Sequence, residues 1–260
     1  MTTQNHYTFG DSERAARRLA LLARAYEAPS RRLLEQFAPP GLELALDLGA
    51  GPGHTTRLVH EVSRARRTIG LEASERYVEE ARANAAPGVE FMREDVTAPS
   101  GAVPPAGLVF SRFLLTHVSD AAAALRAFRP LVTEGGLLLL QETAAMETTH
   151  PALARYYELV GDLQAHYGQL LYVGRMLEAF AEQAPYSIVH STIQRFEQPA
   201  RTMAELHLNN LRTWRTDAFA QREFDQTEIV DLEARLASIA SGAERAPAVA
   251  IGLGELVLTA

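Results

Sequence analysis

Three glycines at alternate positions, set between a short apolar run and a candidate helix, constrain this chain more than any other segment. The stretch is Leu44-Ala45-Leu46-Asp47-Leu48-Gly49-Ala50-Gly51-Pro52-Gly53-His54-Thr55. A strand feeding such a loop must turn sharply, and glycine tolerates both the turn and close approach of backbone to a ligand. The spacing therefore predicts a strand–loop–helix unit shaped around a small molecule.

The surrounding sequence repeats that unit. Apolar runs at Leu44–Leu48, Thr68–Leu71, Val89–Met92, Gly107–Ser111 and Leu137–Gln141 read as strands. Between them Thr55–Ala65, Glu75–Ala85 and Asp120–Leu131 have helical spacing, with Ser74 placed as an N-cap. Alternation of this kind predicts a parallel sheet with helices on both faces. Ahead of it, Asp11 to Phe37 reads as two helices broken at Pro29 and Ser30. After Glu142, Pro151–Ala184, Thr202–Trp214 and Thr227–Ser241 read as helical, with Tyr156, Tyr157, Tyr167 and Tyr172 in the first of these blocks. Tyr186–Phe196 and Val249–Thr259 read as strands, the last bent at Gly252 or Gly254. The expected fold class is α/β: a doubly wound, mostly parallel seven-stranded sheet with helical lid elements at the N-terminus and after strand five. One domain is expected over residues 1–260. It comprises an N-terminal helical cap (1–40), a ligand-binding core (41–145), a helical lid (146–185 and 200–241) and C-terminal strands (186–199 and 247–260).

Composition removes several chemistries. The chain of 260 residues contains no cysteine, which excludes disulfides, zinc–thiolate sites, iron–sulfur clusters and thiol nucleophiles. All 25 basic residues are arginine, so neither a lysine Schiff base nor a Walker lysine is available. A net charge of −7 disfavours nucleic acid as a partner. Met1 to Gly10 lacks the apolar core of a signal peptide, and the apolar run Gly135 to Leu140 is far too short for a membrane span. A cytoplasmic protein with no membrane partner is expected, its oligomeric state open and a homodimer included. No His, Asp or Glu cluster has metal-ligand spacing, and no metal is expected.

A glycine loop after a first strand is shared by several nucleotide-binding classes. The dinucleotide fingerprint G-x-G-x-x-G requires a glycine where this chain has His54. Asp47 before the loop would repel a pyrophosphate, yet suits a ligand bearing an ammonium or sulfonium charge. Asp47-Leu48-Gly49-Ala50-Gly51-Pro52-Gly53 resembles the D-x-G-x-G-x-G loop of the class I S-adenosylmethionine-dependent methyltransferases. Four further segments resemble that family in the order it expects. Thr68 to Ser74 resembles the second strand ending in the acid that holds the ribose hydroxyls, here Glu72 followed by Ala73. Phe91 to Val96 resembles the turn whose acid, here Asp95 followed by Val96, accepts from the adenine amino group. Leu108 to Val118 resembles strand four and its following helix, with Ser111 and Arg112 at the strand end. Leu131 to Leu140 resembles the turn into strand five, with Glu134 in place of the usual proline. The N-terminal block His6 to Glu13 resembles the leading segment of bacterial small-molecule methyltransferases, which implies Tyr7, and with it Arg18, near the methionine end of the cofactor.

The resemblance implies S-adenosylmethionine (SAM) as cofactor. It implies Tyr7, Asp47, Gly49, Ala50, Gly51, Gly53, Glu72, Ala73, Asp95, Val96, Ser111 and Arg112 as the residues around it. It further implies that His117, oriented by Glu142 at the end of strand five, takes a proton from the acceptor; the plain alternative is a histidine satisfied in the core. The expected reaction is methyl transfer to a small-molecule acceptor, such as a natural-product hydroxyl or amine. Two other readings stand beside it: a nicotinamide-dependent oxidoreductase, and a SAM-binding protein of this fold that transfers no methyl group.

Overall fold

The computed structural model describes residues 13–260. Pro29 does not break the first helical block. The interruption falls at Tyr26, between α1 (Glu13–Ala25) and α2 (Glu27–Phe37). Pro29 is the third residue of α2, where a missing N–H costs no intrahelical bond.

Strands and helices then alternate as β1 (Leu44–Leu48), α3 (His54–Ser63), β2 (Arg67–Glu72), α4 (Glu75–Ala83), β3 (Val89–Arg93), β4 (Ala106–Arg112), α5 (Ala121–Phe128) and β5 (Val132–Glu147). The Ser74 hydroxyl caps α4 by accepting from the Tyr77 N–H. Asp120 does the same for α5 through Ala123, so it precedes that helix rather than beginning it. The remaining elements are α6 (Pro151–His166), α7 (Leu177–Ala181), β6 (Ser187–Gln198), α8 (Ala200–Trp214), α9 (Ala218–Glu223), α10 (Gln226–Ser241) and β7 (Val249–Thr259). The sheet order is β3-β2-β1-β4-β5-β7-β6, with β7 antiparallel to both neighbours. This is the doubly wound, mostly parallel seven-stranded sheet that the sequence predicts.

The central strands are apolar throughout because both faces are covered. Ala45, Leu108, Phe110 and Leu139 meet Leu33 and Leu34 of α2 and Leu58 and Val59 of α3. The alternate residues Leu46, Leu48, Val109, Leu138 and Leu140 meet Leu125 and Phe128 of α5 and Leu177 of α7. A third cluster joins α6, α8 and α10 to the start of β7, through Tyr156, Met203, Trp214, Leu236 and Leu253. No described helix is long and apolar enough to cross a membrane.

β5 is far longer than expected, because Thr143–Glu147 continues beyond β4 as a ribbon with β7. A Cβ on Gly254 would lie 2.3 Å from the Gly174 carbonyl oxygen, so that glycine admits a crossing backbone. The irregularity in this ladder falls on β5, between Thr143 and Ala145.

Candidate active site

β1 lies between β2 and β4, so the loop after it sits where the strand order reverses, the usual ligand crevice of an open α/β sheet. Gly49, Gly51 and Gly53 have φ of 72°, 52° and 87°, the left-handed region that side chains rarely adopt. At Gly53 a Cβ would also lie 2.5 Å from Phe91 Cζ. The loop amides are turned inward. Gly49 and Ala50 donate to the Leu71 carbonyl at 2.9 and 3.0 Å, Gly51 to Glu72 Oε2 at 2.9 Å, and Gly53 to the Ala50 carbonyl at 3.0 Å. Pro52 has no N–H, so the loop offers no nest of free donors for a pyrophosphate.

The loop borders a cavity of about 550 Å³, within the range of cofactor sites. Its wall includes Gly49, Ala50 and Gly51, Glu72 and Ala73 at the end of β2, Asp95 and Val96 after β3, Arg112 at the end of β4 and His117 beyond it. Nine expected site residues are thereby brought together. Gly53 lies behind the wall, and Tyr7 lies outside the described residues.

Asp47 corrects the expectation that its carboxylate faces the ligand. It shares the sheet face of Ala45, which is turned toward α3, and Oδ2 accepts from the Thr55 and Thr56 hydroxyls at 2.7 Å each. Asp47 is fully buried and absent from the cavity wall, tying β1 to the first turn of α3. Burial pushes its carboxyl up to about 6, against the two hydroxyl bonds and the Arg112 charge. Ser111 is a second correction. It sits on the α5 side of β4, fully buried, with its hydroxyl unbonded and outside the cavity wall.

Glu72 holds the loop and borders the cavity at once. Oε2 accepts from the Gly51 N–H, and Oε1 accepts from the Ser74 N–H at 2.8 Å. Each carboxylate oxygen has a further lone pair. Asp95 is exposed and accepts from the Thr97 N–H and hydroxyl through Oδ1, at 3.0 and 2.6 Å. Arg112 reaches back toward the N-terminal helices, donating to the Ser30 hydroxyl at 2.8 Å and the Tyr26 carbonyl at 3.2 Å. Burial pulls its guanidinium down to about 10, opposed by the Asp47 charge.

The expected His117–Glu142 pair is not formed. Glu142 is fully buried, and its Oε1 accepts from the N–H groups of both Leu114 and Leu115, at 2.8 and 2.7 Å. Its Oε2 is buried without a hydrogen bond, and no bond joins the carboxyl to His117. Burial pushes Glu142 up to about 8. Burial, reinforced by the Arg18 charge, pulls His117 down to about 3 and keeps its imidazole neutral.

A second cavity of about 90 Å³ shares Arg18, Leu22, Phe113 and His117 with the first. It extends beneath α6 and α8, where Tyr156, Gln164, Met203, His207 and Asn210 border it. Arg18 is 5% exposed and donates to Asn210 Oδ1 at 3.0 Å, bridging α1 and α8. Most of this second wall escapes sequence reasoning. The spacing of Arg18 and Leu22 marks one face of α1, but nothing local says what that face meets. His166 is stacked on Phe219, and His150 bonds Glu244 at 3.0 Å; neither borders these two cavities.

The Methyltransferase domain family matches residues 45–136. A trans-aconitate 2-methyltransferase of Methylobacterium radiotolerans is 30% identical over 78% of this chain and 71% of its own length. A second, from Rhizobium etli, is 32% identical over 44% of this chain but spans only 43% of that relative. Among solved structures, the YcgJ protein from Bacillus subtilis has the same fold, with TM-score 0.58 and 16% identity over 89% of this chain and 98% of that one.

Proposed function

Because the chain belongs to the class I S-adenosylmethionine-dependent methyltransferases, we propose that its acceptor is a small molecule methylated where the two cavities meet. The observation carrying this reading is the shared wall at Arg18, Phe113 and His117, which joins a cofactor-sized cavity to a smaller one beneath the lid. The Methylobacterium relative, named for trans-aconitate, supports a small acceptor. The cysteine-free sequence fits work in a reducing cytoplasm.

The residues present fit SAM. The left-handed Gly49 and Gly51 border the cavity with no side chain of their own, and the loop's inward amides suit a ligand that brings no phosphate. Glu72 borders the cavity at the end of β2, where a carboxylate suits ribose hydroxyls, and Asp95 Oδ2 stands beside its occupied partner for the adenine amino group. The half-buried Arg112 guanidinium, which borders the cavity, suits the methionine carboxylate. When bound, SAM supplies an electrophilic methyl group on a sulfonium.

The chain's own part is then proximity, alignment and exclusion of water. His117 is the group at the junction that can touch the acceptor. Held neutral, its imidazole accepts a hydrogen bond from the acceptor's O–H or N–H and turns the nucleophilic lone pair toward the methyl. Glu142 is engaged by the Leu114 and Leu115 amides and burial keeps the imidazole neutral, so we assign His117 an orienting role rather than that of a strong base. Calorimetric titration with SAM, S-adenosylhomocysteine and NAD tests the reading. Binding of the first two without NAD is expected, and NAD binding without SAM would overturn it. Transfer of labelled methyl into an added acceptor separates catalysis from mere cofactor retention.

A further inference from the structure

We propose that Ser30, Gln141 and Glu255 are positioning residues. They form a hydrogen-bonded row that fixes Arg112 for the carboxylate at the amino-acid end of the cofactor. This rests on the methyltransferase reading above.

Arg112, Gln141 and Glu255 stand level on three adjacent strands. Arg112 is in register with Gln141 between β4 and β5, and Gln141 with Glu255 between β5 and β7. The next row on the same face is Phe110, Leu139 and Val257, which packs against Leu33 and Leu34 of α2. Packing alone would extend that apolar row. Instead the pattern breaks where β4 reaches the cofactor cavity, whose wall includes Arg112. Ser30 and Gln141 are fully buried and Glu255 nearly so, and buried polar groups of this kind persist only where they are hydrogen-bonded.

The bonds run one way. A guanidinium only donates, so the Ser30 hydroxyl accepts from Arg112 Nη1 at 2.8 Å. Its single hydrogen then goes to Gln141 Oε1 at 2.6 Å. That turns the amide so that Nε2 donates to Glu255 Oε1 at 2.7 Å. A cation at one end and a carboxyl at the other set the sense of every bond between them, and each bond polarises the next. Arg112 Nη1 also donates to the Tyr26 carbonyl at 3.2 Å, so both hydrogens of that nitrogen are committed to the protein. The guanidinium plane is thereby fixed, and the edge formed by Nη2 and Nε is the one that can offer a carboxylate two parallel bonds.

Two ligands separate this role from a general contribution to the fold. S-Adenosylhomocysteine has the amino-acid portion; 5′-methylthioadenosine keeps the adenosine and the thioether but has neither ammonium nor carboxylate. Calorimetric titration of the original protein is expected to show the first binding about tenfold or more tighter than the second. Ser30→Ala and Gln141→Leu should each weaken S-adenosylhomocysteine by about threefold or more and leave 5′-methylthioadenosine within about twofold. Glu255→Leu should behave alike, and Glu255→Gln, which keeps an acceptor for the Gln141 amide, should recover most of the loss. In an Arg112→Leu background Ser30→Ala should cost S-adenosylhomocysteine nothing further. Ser30→Ala removes a single oxygen and decides the question if Gln141→Leu does not fold. Equal loss of both ligands in Ser30→Ala, unchanged S-adenosylhomocysteine affinity in it, or a loss that persists in the Arg112→Leu background overturns the inference. So does an original protein with no preference between the two ligands. Binding of neither by the original protein would instead overturn the methyltransferase reading beneath it.

Discussion

Glu142→Gln offers a quantitative check on the corrected role of this carboxyl. In the unfolded chain Glu142 titrates near 4.5, and in the folded protein burial holds it up at about 8. Folding therefore takes up a proton between those pH values. The stability attached to this group is fully present below about pH 4.5 and lost as pH rises through about 8. At roughly 1.4 kcal/mol for each pH unit, the loss amounts to about 5 kcal/mol once the group is ionised. Glutamine has the same shape and can still accept from the Leu114 and Leu115 amides, but it does not titrate. At acid pH, protonated carboxyl and amide each leave one buried group unbonded, so the variant should match the original within about 1 kcal/mol. By about pH 9 the variant should be the more stable by about 5 kcal/mol. Asp47, His117 and His207 titrate equally in both proteins and cancel in the difference. Denaturant unfolding at several pH values measures that difference directly. A constant gap from acid to alkaline pH would refute the buried-carboxyl argument.

Ser111→Ala removes a buried hydroxyl with no partner, so unfolding free energy should stay level or rise by up to about 1 kcal/mol, with SAM affinity unchanged in calorimetry. Gly53→Ala combines a left-handed φ of 87° with a Cβ 2.5 Å from Phe91 Cζ and should cost about 2–4 kcal/mol. Gly135→Ala has a similar φ of 71° but open space around it, and should cost about 1 kcal/mol in the same unfolding assay. His117→Ala should lower kcat by about tenfold or more with SAM affinity retained, and His117→Asn should recover part of the loss. Because His117 is already held down to about 3, the original enzyme should show no acid limb near the ordinary histidine value in its pH–rate profile.

The alternating core was legible because its signals are local and repeated. Apolar strands, polar breaks and capping residues such as Ser74 each act within a few positions, and a parallel sheet covered on both faces needs little else. The contributors to the second cavity were not legible, because α1, α6 and α8 meet only in the folded chain, Arg18 finding Asn210 across 192 positions. The site errors have a narrower cause. Residues at a strand end alternate between faces, and the sequence shows the end without the face. Ser111 and Arg112 are neighbours, yet one faces α5 and the other reaches Ser30 of α2. The turn after β4 adds a twist of its own: Phe113 has φ of 56°, and the amides of Leu114 and Leu115 that follow it claim Glu142 before His117 can. Asp47 shows the consequence most clearly. Its charge alone suggested a counterpart for a cationic ligand, but its face of β1 turns it to the Thr55 and Thr56 hydroxyls. It therefore acts on the cofactor site by fixing the first turn of α3 against β1, which sets the path of the glycine loop between them.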